Sequence, residues 1–196
     1  MILKKKLVLG STSSYRAQLL ARLGLPFVTA APTLDEAARP GETPAATALR
    51  LAIGKAQSLQ SAFESALVIG ADQVADLGGK AIGKPLTRSA ASDQLQQMRG
   101  NTLQFHSGIA VLNTFTGSVQ SRNVTTTVRY REYSRREIEN YLDREDALDC
   151  AGSAKAEGLG ISLIASMQSE DPSAIIGLPL IALVDMLQTE GVMVLE

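Results

Sequence analysis

Five short segments of the sequence carry side chains that could bind phosphate or move a proton. Two supply carboxylates, Asp35-Glu36 and Asp72, and three supply hydroxyls or cations, Ser11 to Arg16, Lys55 and Lys84. Hydroxyls and cations suit phosphate groups, and carboxylates are the ligands that divalent ions prefer. The combination indicates metal-assisted attack of water on a phosphoryl group.

The first segment is a loop of small hydroxyl residues between an apolar strand and a predicted helix. Such a loop presents backbone N–H groups and the positive end of the helix dipole to an anion. Arg16 falls in the first helical turn, where a cation is unfavourable for the helix alone, and a bound phosphate would reverse that sign. The alternative is an ordinary serine N-cap followed by a surface arginine.

The carboxylates have local alternatives as well. Asp72 follows the apolar run 66–71, so it is predicted at a strand end, where it could bind Mg²⁺ or accept a proton from water. It could equally begin the turn of a hairpin. Asp35-Glu36 lies in a loop between Pro32 and Gly41, and simple solvation explains that pair when it is taken alone.

The two lysines are less specific signals. Lys84 stands between Gly83 and Pro85 on a restricted backbone and could reach a phosphate, although the spacing of a P-loop is absent. Lys55 lies at the edge of the apolar stripe of a helix, and its alternative is an ammonium that snorkels to solvent.

Composition narrows the protein class. Of 196 residues, 45% are hydrophobic and 20% are charged, as in a globular domain, and the net charge of −1 provides no general attraction to nucleic acid or anionic membranes. The single cysteine, Cys150, excludes an internal disulfide and a cysteine-rich metal site. Three lysines near the start precede only three apolar residues, fewer than the roughly 7–15 of a signal peptide, and no apolar run approaches the ~18 residues of a membrane span. We expect a cytoplasmic protein without a nucleic-acid or membrane partner.

Hydrophobic periodicity and capping residues predict a mixed α/β fold, with a long antiparallel hairpin that interrupts any doubly wound pattern. Residues 1–196 are expected to form a single domain. His106 is interpreted as a structural residue, and Cys150 as a small residue of the core. Helices are predicted over residues 14–23, 43–63, 89–99, 134–144 and 179–188, and strands over 7–10, 27–31, 66–71, 103–112, 119–131, 161–165 and 192–195.

The segments in their order resemble the Maf family of nucleoside triphosphate pyrophosphatases. The resemblance covers residues 7 to 191 and rests on S-T-S-x-x-R, D-E, K-A, G-A-D-Q and G-K-P. It implies a fold like that of the inosine triphosphate pyrophosphatases, with a long central mixed sheet flanked by helices and a cleft between two lobes. It also implies cleavage between the α and β phosphates with a divalent metal (Mg, Mn or Co), and the family often forms homodimers.

The resemblance assigns roles residue by residue. Asp72 matches the catalytic aspartate, described as the proton acceptor of the family. We further infer that Glu36 and Asp72 are the metal ligands. The family's conserved phosphate- and metal-pocket positions fall on Ser11, Arg16, Glu36, Lys55 and Lys84.

Three further positions indicate the branch of the family that acts on 7-methyl-GTP: Tyr15, Gln73 and Glu157, together with C-A-G-S-x-K-x-E-G-x-G from Cys150 to Gly160. Methylation at N7 gives guanine a positive charge that an aromatic ring such as Tyr15 attracts. A buried carboxylate at Glu157 could accept the N1–H and N2–H donors of guanine and would reject a base that leaves it unpaired.

Three residues depart from the family pattern near the start of the chain. Ser14 replaces a usual proline, Ala17 a second arginine, and Tyr15 the tryptophan expected in this branch. Because tryptophan is the stronger cation–π partner, we expect a higher KM without loss of function.

Two alternative functions remain at this level. The first is a pyrophosphatase of the branch that acts on dTTP and UTP, which usually carries arginine, threonine and glutamine where this chain has Tyr15, Gln73 and Glu157. The second is a regulatory protein that acts by binding, because members of the family are linked to arrest of septum formation.

Overall fold

The computed structural model describes residues 5–196, and its framework is a seven-stranded mixed sheet. The strand order is β2-β1-β3-β5-β6-β7, and the short β4 pairs with β3. The predicted mixed α/β class, with a long central sheet flanked by helices, is confirmed. The strands are β1 (Lys6–Gly10), β2 (Phe27–Ala30), β3 (Ala66–Leu77), β4 (Lys80–Ile82), β5 (Thr102–Asn113), β6 (Val119–Tyr130) and β7 (Ile164–Gln168).

The central strand β3 has an opening along one of its edges. Strand β5 pairs with β3 from Leu67 to Asp76 on one side. On the other side β1 pairs with residues 66–70 and β4 with residues 75–77. Residues 71–74 therefore have no strand neighbour on that side. Asp72 and Gln73 lie in this opening, one on each face of the sheet because successive side chains alternate.

The prediction that β3 ends before Asp72 is wrong. The strand continues to Leu77, and Asp72 pairs with Gly108 while Gln73 pairs with Ser107. Two polar residues interrupted the apolar pattern, which suggested a strand end. They are tolerated in mid-strand because Asp72 pairs with Lys55 and Gln73 lies in the wall of a polar cleft.

Within residues 5–196, five α-helices flank the sheet, and α2 approaches it most closely. A Cβ at Gly70 would collide with the carbonyl oxygen of Ala52, and one at Gly108 with that of Ala48. The two glycines therefore let α2 rest on the backbone of the strands. The helices are α1 (Ser14–Ala21), α2 (Pro44–Gln57), α3 (Arg88–Met98), α4 (Arg135–Leu142) and α5 (Leu180–Thr189).

Two apolar clusters occupy opposite ends of the other sheet face. The first contains Leu9, Leu19 and Leu183 and joins the sheet to α1 and α5. The second contains Leu95 and Ile138 and joins the sheet to α3 and α4. These clusters form the cores of two lobes, and the cleft predicted between two lobes lies between them.

Four other local predictions are corrected. Residues 192–195 form no strand, and the strand predicted at 161–165 starts three residues later, after a 3₁₀ segment over Leu159–Leu163. Helix α2 ends at Gln57, before a separate 3₁₀ turn. Cys150 is half-buried, outside the core, in the wall of the cleft.

His106 is a structural residue, as predicted. Its ring nitrogens lie 3.2 Å from Asp76 Oδ2 and 3.2 Å from Thr125 Oγ1, and the residue is nearly inaccessible. Over residues 5–196, no helix has both the length and the apolarity needed to span a bilayer.

Candidate active site

The cleft between the lobes forms a cavity of about 460 Å³, a volume typical of small-molecule sites. Eight of the nine predicted site residues line its wall. The ninth, Asp72, is not a lining residue, but its Oδ1 lies 2.7 Å from Nζ of Lys55, which is one. The lining residues are Ser11, Tyr15, Arg16, Glu36, Lys55, Gln73, Lys84 and Glu157.

Lys55 connects the two predicted metal ligands. Its Nζ lies 2.7 Å from Asp72 Oδ1 and 3.1 Å from Glu36 Oε1. Lys55 is buried in the last turn of α2, and the close approach of that helix to β3 directs its side chain at Asp72. The alternative of a lysine that snorkels to solvent is wrong, because the ammonium is buried on two carboxylates.

Asp72 has the environment of a general base. It is 8% exposed, and burial raises the pKa of its carboxyl above the ordinary value, against the opposing effects of Lys55 and Arg16. A raised pKa brings an aspartate closer to the operating pH, where proton transfer is most efficient.

The pKa of Asp72 predicts the acidic limit of activity. A base acts only when deprotonated, so with Asp72 as the general base we expect kcat/KM to fall as the pH falls through its pKa, which burial raises above that of an exposed aspartate. Lys55 lowers the pKa, so Lys55→Met is expected to move the acidic limb of the profile to higher pH. The measurement is kcat/KM from about pH 4 to 9. The exposed Lys80→Met is the control, and an unmoved limb in Lys55→Met would argue against Asp72 as the titrating base.

Arg16 and Ser11 are held at one end of the cavity. Arg16 Nε donates to the carbonyl oxygen of Gly177 at 2.9 Å, and its Nη1 lies 3.4 Å from Ser11 Oγ. Burial lowers the pKa of Arg16, and Asp72 and Glu36 oppose that effect; the guanidinium remains charged. Ser13 also caps α1, since its Oγ accepts from Arg16 N–H. The capping alternative is therefore correct for Ser13, while Arg16 is directed into the cleft.

Gln73 is anchored by the chain opposite to it. Its Nε2 lies 2.9–3.0 Å from the carbonyl oxygens of Ala174 and Ile175 and from Ser107 Oγ. The amide N–H groups are thus committed to the protein, which leaves the carbonyl Oε1 as the group that can contact a ligand.

The ring of Tyr15 faces a cation that the sequence reasoning missed. Lys155 Nζ lies 5.7 Å from the ring centroid, within the range of a cation–π contact. The same ammonium is 3.8 Å from Glu145 Oε1 and 3.9 Å from Asp149 Oδ1. The available signal was a lysine within the glycine-rich segment two residues before Glu157.

Glu157 lines the cavity but is exposed, contrary to the buried carboxylate assumed from the sequence. Its loop is fixed by Glu145, whose Oε2 accepts from Leu159 N–H at 2.8 Å. The carboxylate is therefore desolvated only when a bound base covers it. A base that offers it no hydrogen-bond donors binds more weakly, because the carboxylate has then lost water without gaining a partner.

The residues present fit a divalent ion that arrives with a nucleotide. Within the described part of the chain, no three histidine, cysteine or carboxylate side chains cluster tightly enough to hold a metal by themselves. Glu36 and Asp72 are two carboxylates beside a cationic pocket. Mg²⁺ is commonly bound by one or two carboxylates plus substrate phosphates, which matches this donor set.

The amino-acid sequence matches one family profile and several named bacterial proteins. The sequence profile described as Maf-like protein matches residues 6–190. The chain belongs to the Maf family. A protein of Methylobacillus flagellatus is 53% identical over 95% of this chain and 97% of its own length, and one of Aromatoleum aromaticum is 54% identical over 96% and 97%. Both are named 7-methyl-GTP pyrophosphatase.

The predicted Maf membership is thereby confirmed. A third relative, from Thiobacillus denitrificans, is 53% identical over 96% of this chain and 94% of its own length, and bears the same name. A solved structure of the Staphylococcus aureus Ham1 protein matches 65% of this chain and 73% of that one, with 17% identity and a TM-score of 0.47. That likeness is too low to support an argument about function.

Proposed function

We propose that this Maf protein hydrolyses 7-methyl-GTP to 7-methyl-GMP and pyrophosphate. The observation that carries the proposal is the meeting, in one cleft, of Tyr15 and Glu157 with the cations Arg16, Lys55 and Lys84. The relatives at about 50% identity that bear the name 7-methyl-GTP pyrophosphatase support the same substrate.

The base is recognised by Tyr15 and Glu157. The contact with Lys155 supports this role for Tyr15, because an ammonium already lies 5.7 Å from the ring centroid, within cation–π range. N7-methylated guanine is a flat cation that can take that place while Lys155 turns to Glu145 and Asp149. Glu157 then accepts the N1–H and N2–H groups of guanine, which uracil and thymine do not offer in that arrangement.

The phosphates are bound by cationic side chains and backbone N–H groups near the loop between β1 and α1. Arg16 supplies a guanidinium that Gly177 and Ser11 hold in position, and Lys84 supplies a point charge from the opposite lobe. The N-terminus of α1 adds backbone N–H groups with a partial positive charge. Cations from both lobes therefore converge on the triphosphate.

Hydrolysis requires that a water oxygen bond to phosphorus while the bridging P–O bond of the α–β anhydride breaks. Asp72 accepts the water proton, and Lys55 holds its carboxylate in place at 2.7 Å. The leaving pyrophosphate carries the negative charge that Lys84 and Arg16 are placed to neutralise. Glu36 and Asp72 would hold a divalent ion (Mg, Mn or Co), which supplies Lewis-acid stabilisation of that charge.

A substrate panel tests the proposal. Pyrophosphate release is measured from 7-methyl-GTP, GTP, dTTP and UTP, each with the metal ion and with a chelator. We expect 7-methyl-GTP to have the highest kcat/KM and the chelator to remove activity. Preference for dTTP or UTP would instead assign the pyrimidine branch, and failure to hydrolyse any nucleotide would favour the regulatory alternative.

Substitutions at Tyr15 separate the charge of the base from its shape. Tyr15→Leu is expected to lower the 7-methyl-GTP/GTP ratio of kcat/KM by about 2- to 30-fold, the range that corresponds to a cation–π contact. Tyr15→Trp is expected to raise the ratio, because indole is the stronger partner. GTP serves as the neutral control in each measurement. Equal ratios in Leu, Tyr and Trp proteins would remove the stacking role.

We propose a cytoplasmic enzyme whose partner is the small nucleotide, with no nucleic-acid or membrane partner, and a homodimer as in much of the family. Light scattering of the purified protein measures its oligomeric state.

A further inference from the structure

Gln94 lies on α3, outside the cavity, and its side-chain amide joins two loops that carry site residues. Gln94 Nε2 donates to the carbonyl oxygen of Gly83 at 3.1 Å. Gln94 Oε1 accepts from Ser153 Oγ–H at 2.6 Å. We infer that Gln94 is a positioning residue that sets the separation between Lys84, on the phosphate side, and Glu157, on the base side.

The first loop carries Lys84 and has few other restraints. Gly83 and Pro85 flank Lys84, and Leu86 is 72% exposed with a φ of +61°. A left-handed non-glycine residue persists only where its surroundings hold it. Two hydrogen bonds do so here: Leu86 N–H to Leu148 O at 3.1 Å, and Gln94 to Gly83.

The second loop carries Lys155 and Glu157 and begins with two residues that, like Leu86, have a positive φ. Gly152 has a φ of +76°, and Ser153 is fully buried with a φ of +55°. The hydroxyl of Ser153 ends on Gln94, so the buried turn is tied to α3. Lys155 and Glu157 follow two and four residues later and share that anchor.

The uncharged amide of Gln94 satisfies both loops at once. It donates to a carbonyl oxygen through nitrogen and accepts from a hydroxyl through oxygen. Glutamate keeps the acceptor and loses the donor, and methionine has a similar length but forms neither bond effectively. Substitutions at this one position can therefore release the two loops separately or together.

The base side of this inference rests on the proposed function, and the phosphate side does not. The test is therefore the affinity for two ligands, measured by calorimetry. Tripolyphosphate has no base, and 7-methylguanosine has no phosphate. Gln94→Met is expected to weaken both by about 3- to 10-fold, the range for loss of one hydrogen bond at each loop. Gln94→Glu should weaken only tripolyphosphate, and Ser153→Ala only 7-methylguanosine. Gln96→Met, on the exposed face of the same helix, should weaken neither.

The pattern distinguishes positioning from a loss of stability. A general destabilisation would lower the melting temperature and affect the two ligands alike in every variant, without the separation between Gln94→Glu and Ser153→Ala. Unchanged binding of both ligands by a folded Gln94→Met protein would overturn the inference. If the wild type fails to bind 7-methylguanosine, the proposed substrate is wrong, while the tripolyphosphate measurement still tests the bond to Gly83.

Discussion

Asp72→Asn is expected to lower kcat for 7-methyl-GTP by about 10²- to 10⁴-fold, the contribution of a positioned general base. Asparagine has nearly the same shape, but it cannot accept the proton of the attacking water. Pyrophosphate release measures the loss, and calorimetry with 7-methyl-GTP should show that binding remains. Asp93→Asn, the same change on the exposed surface of α3, should leave activity unchanged.

The fold should tolerate this change. The folded state raises the pKa of Asp72, so its contribution to stability is present below the unfolded pKa and is lost as the pH rises through the folded value. The melting temperature of Asp72→Asn, relative to wild type, should therefore improve as the pH rises above about 4, the pKa of an unfolded aspartate. In the variant, Lys55 also retains an ionic partner, because Glu36 Oε1 lies 3.1 Å from its Nζ.

The same variant separates catalysis from regulation by binding. An enzyme whose cellular role is hydrolysis loses that role together with its activity. If Asp72→Asn lost all hydrolysis and yet retained every cellular effect of the wild-type protein, a binding function in septum formation would be the better description.

Glu157→Gln is expected to lower kcat/KM for 7-methyl-GTP by about 10- to 100-fold, the range for loss of hydrogen bonds to a charged group. Glutamine has one acceptor oxygen, and its amide N–H groups would face the N–H donors of guanine. The melting temperature should barely change, because Glu157 is exposed. Activity on UTP should fall less, or rise, since uracil offers acceptors to an amide N–H.

The control for Glu157→Gln is Glu64→Gln, an exposed position away from the cleft. It should retain the kinetics of the wild type on every nucleotide. Equal activity of Glu157→Gln and wild type on 7-methyl-GTP would contradict the role of this carboxylate in reading the base, even if the enzyme prefers that substrate.

Local signals in the sequence predicted much of the framework. The capping box of Ser134 and Glu137 is present at the start of α4, and Thr43 caps α2 with Pro44 in its first turn. The hairpin of β5 and β6 lies where alternation indicated it. These features depend on residues that are near one another in the sequence, so a single sequence is sufficient to recognise them.

The predicted site also converged, and the resemblance to a family supplied most of that information. Individually, Ser11, Arg16 and Lys55 each had an ordinary structural explanation, and only their order along the chain pointed to one pocket. Lys55 illustrates the difference. Its periodicity allowed a snorkelling side chain, whereas the contact between α2 and β3 placed it on Asp72.

The sequence by itself determined which residue types were available, how the helices are capped and which family pattern they follow. Only the tertiary structure decided that Asp72 lies in mid-strand, that Lys155 faces Tyr15 and that Gln94 joins two loops. The reason is the separation in sequence between the residues that interact. Capping and periodicity act between near neighbours, whereas these contacts join residues 11 to 140 positions apart, and the strand order and helix packing alone determine which of them meet.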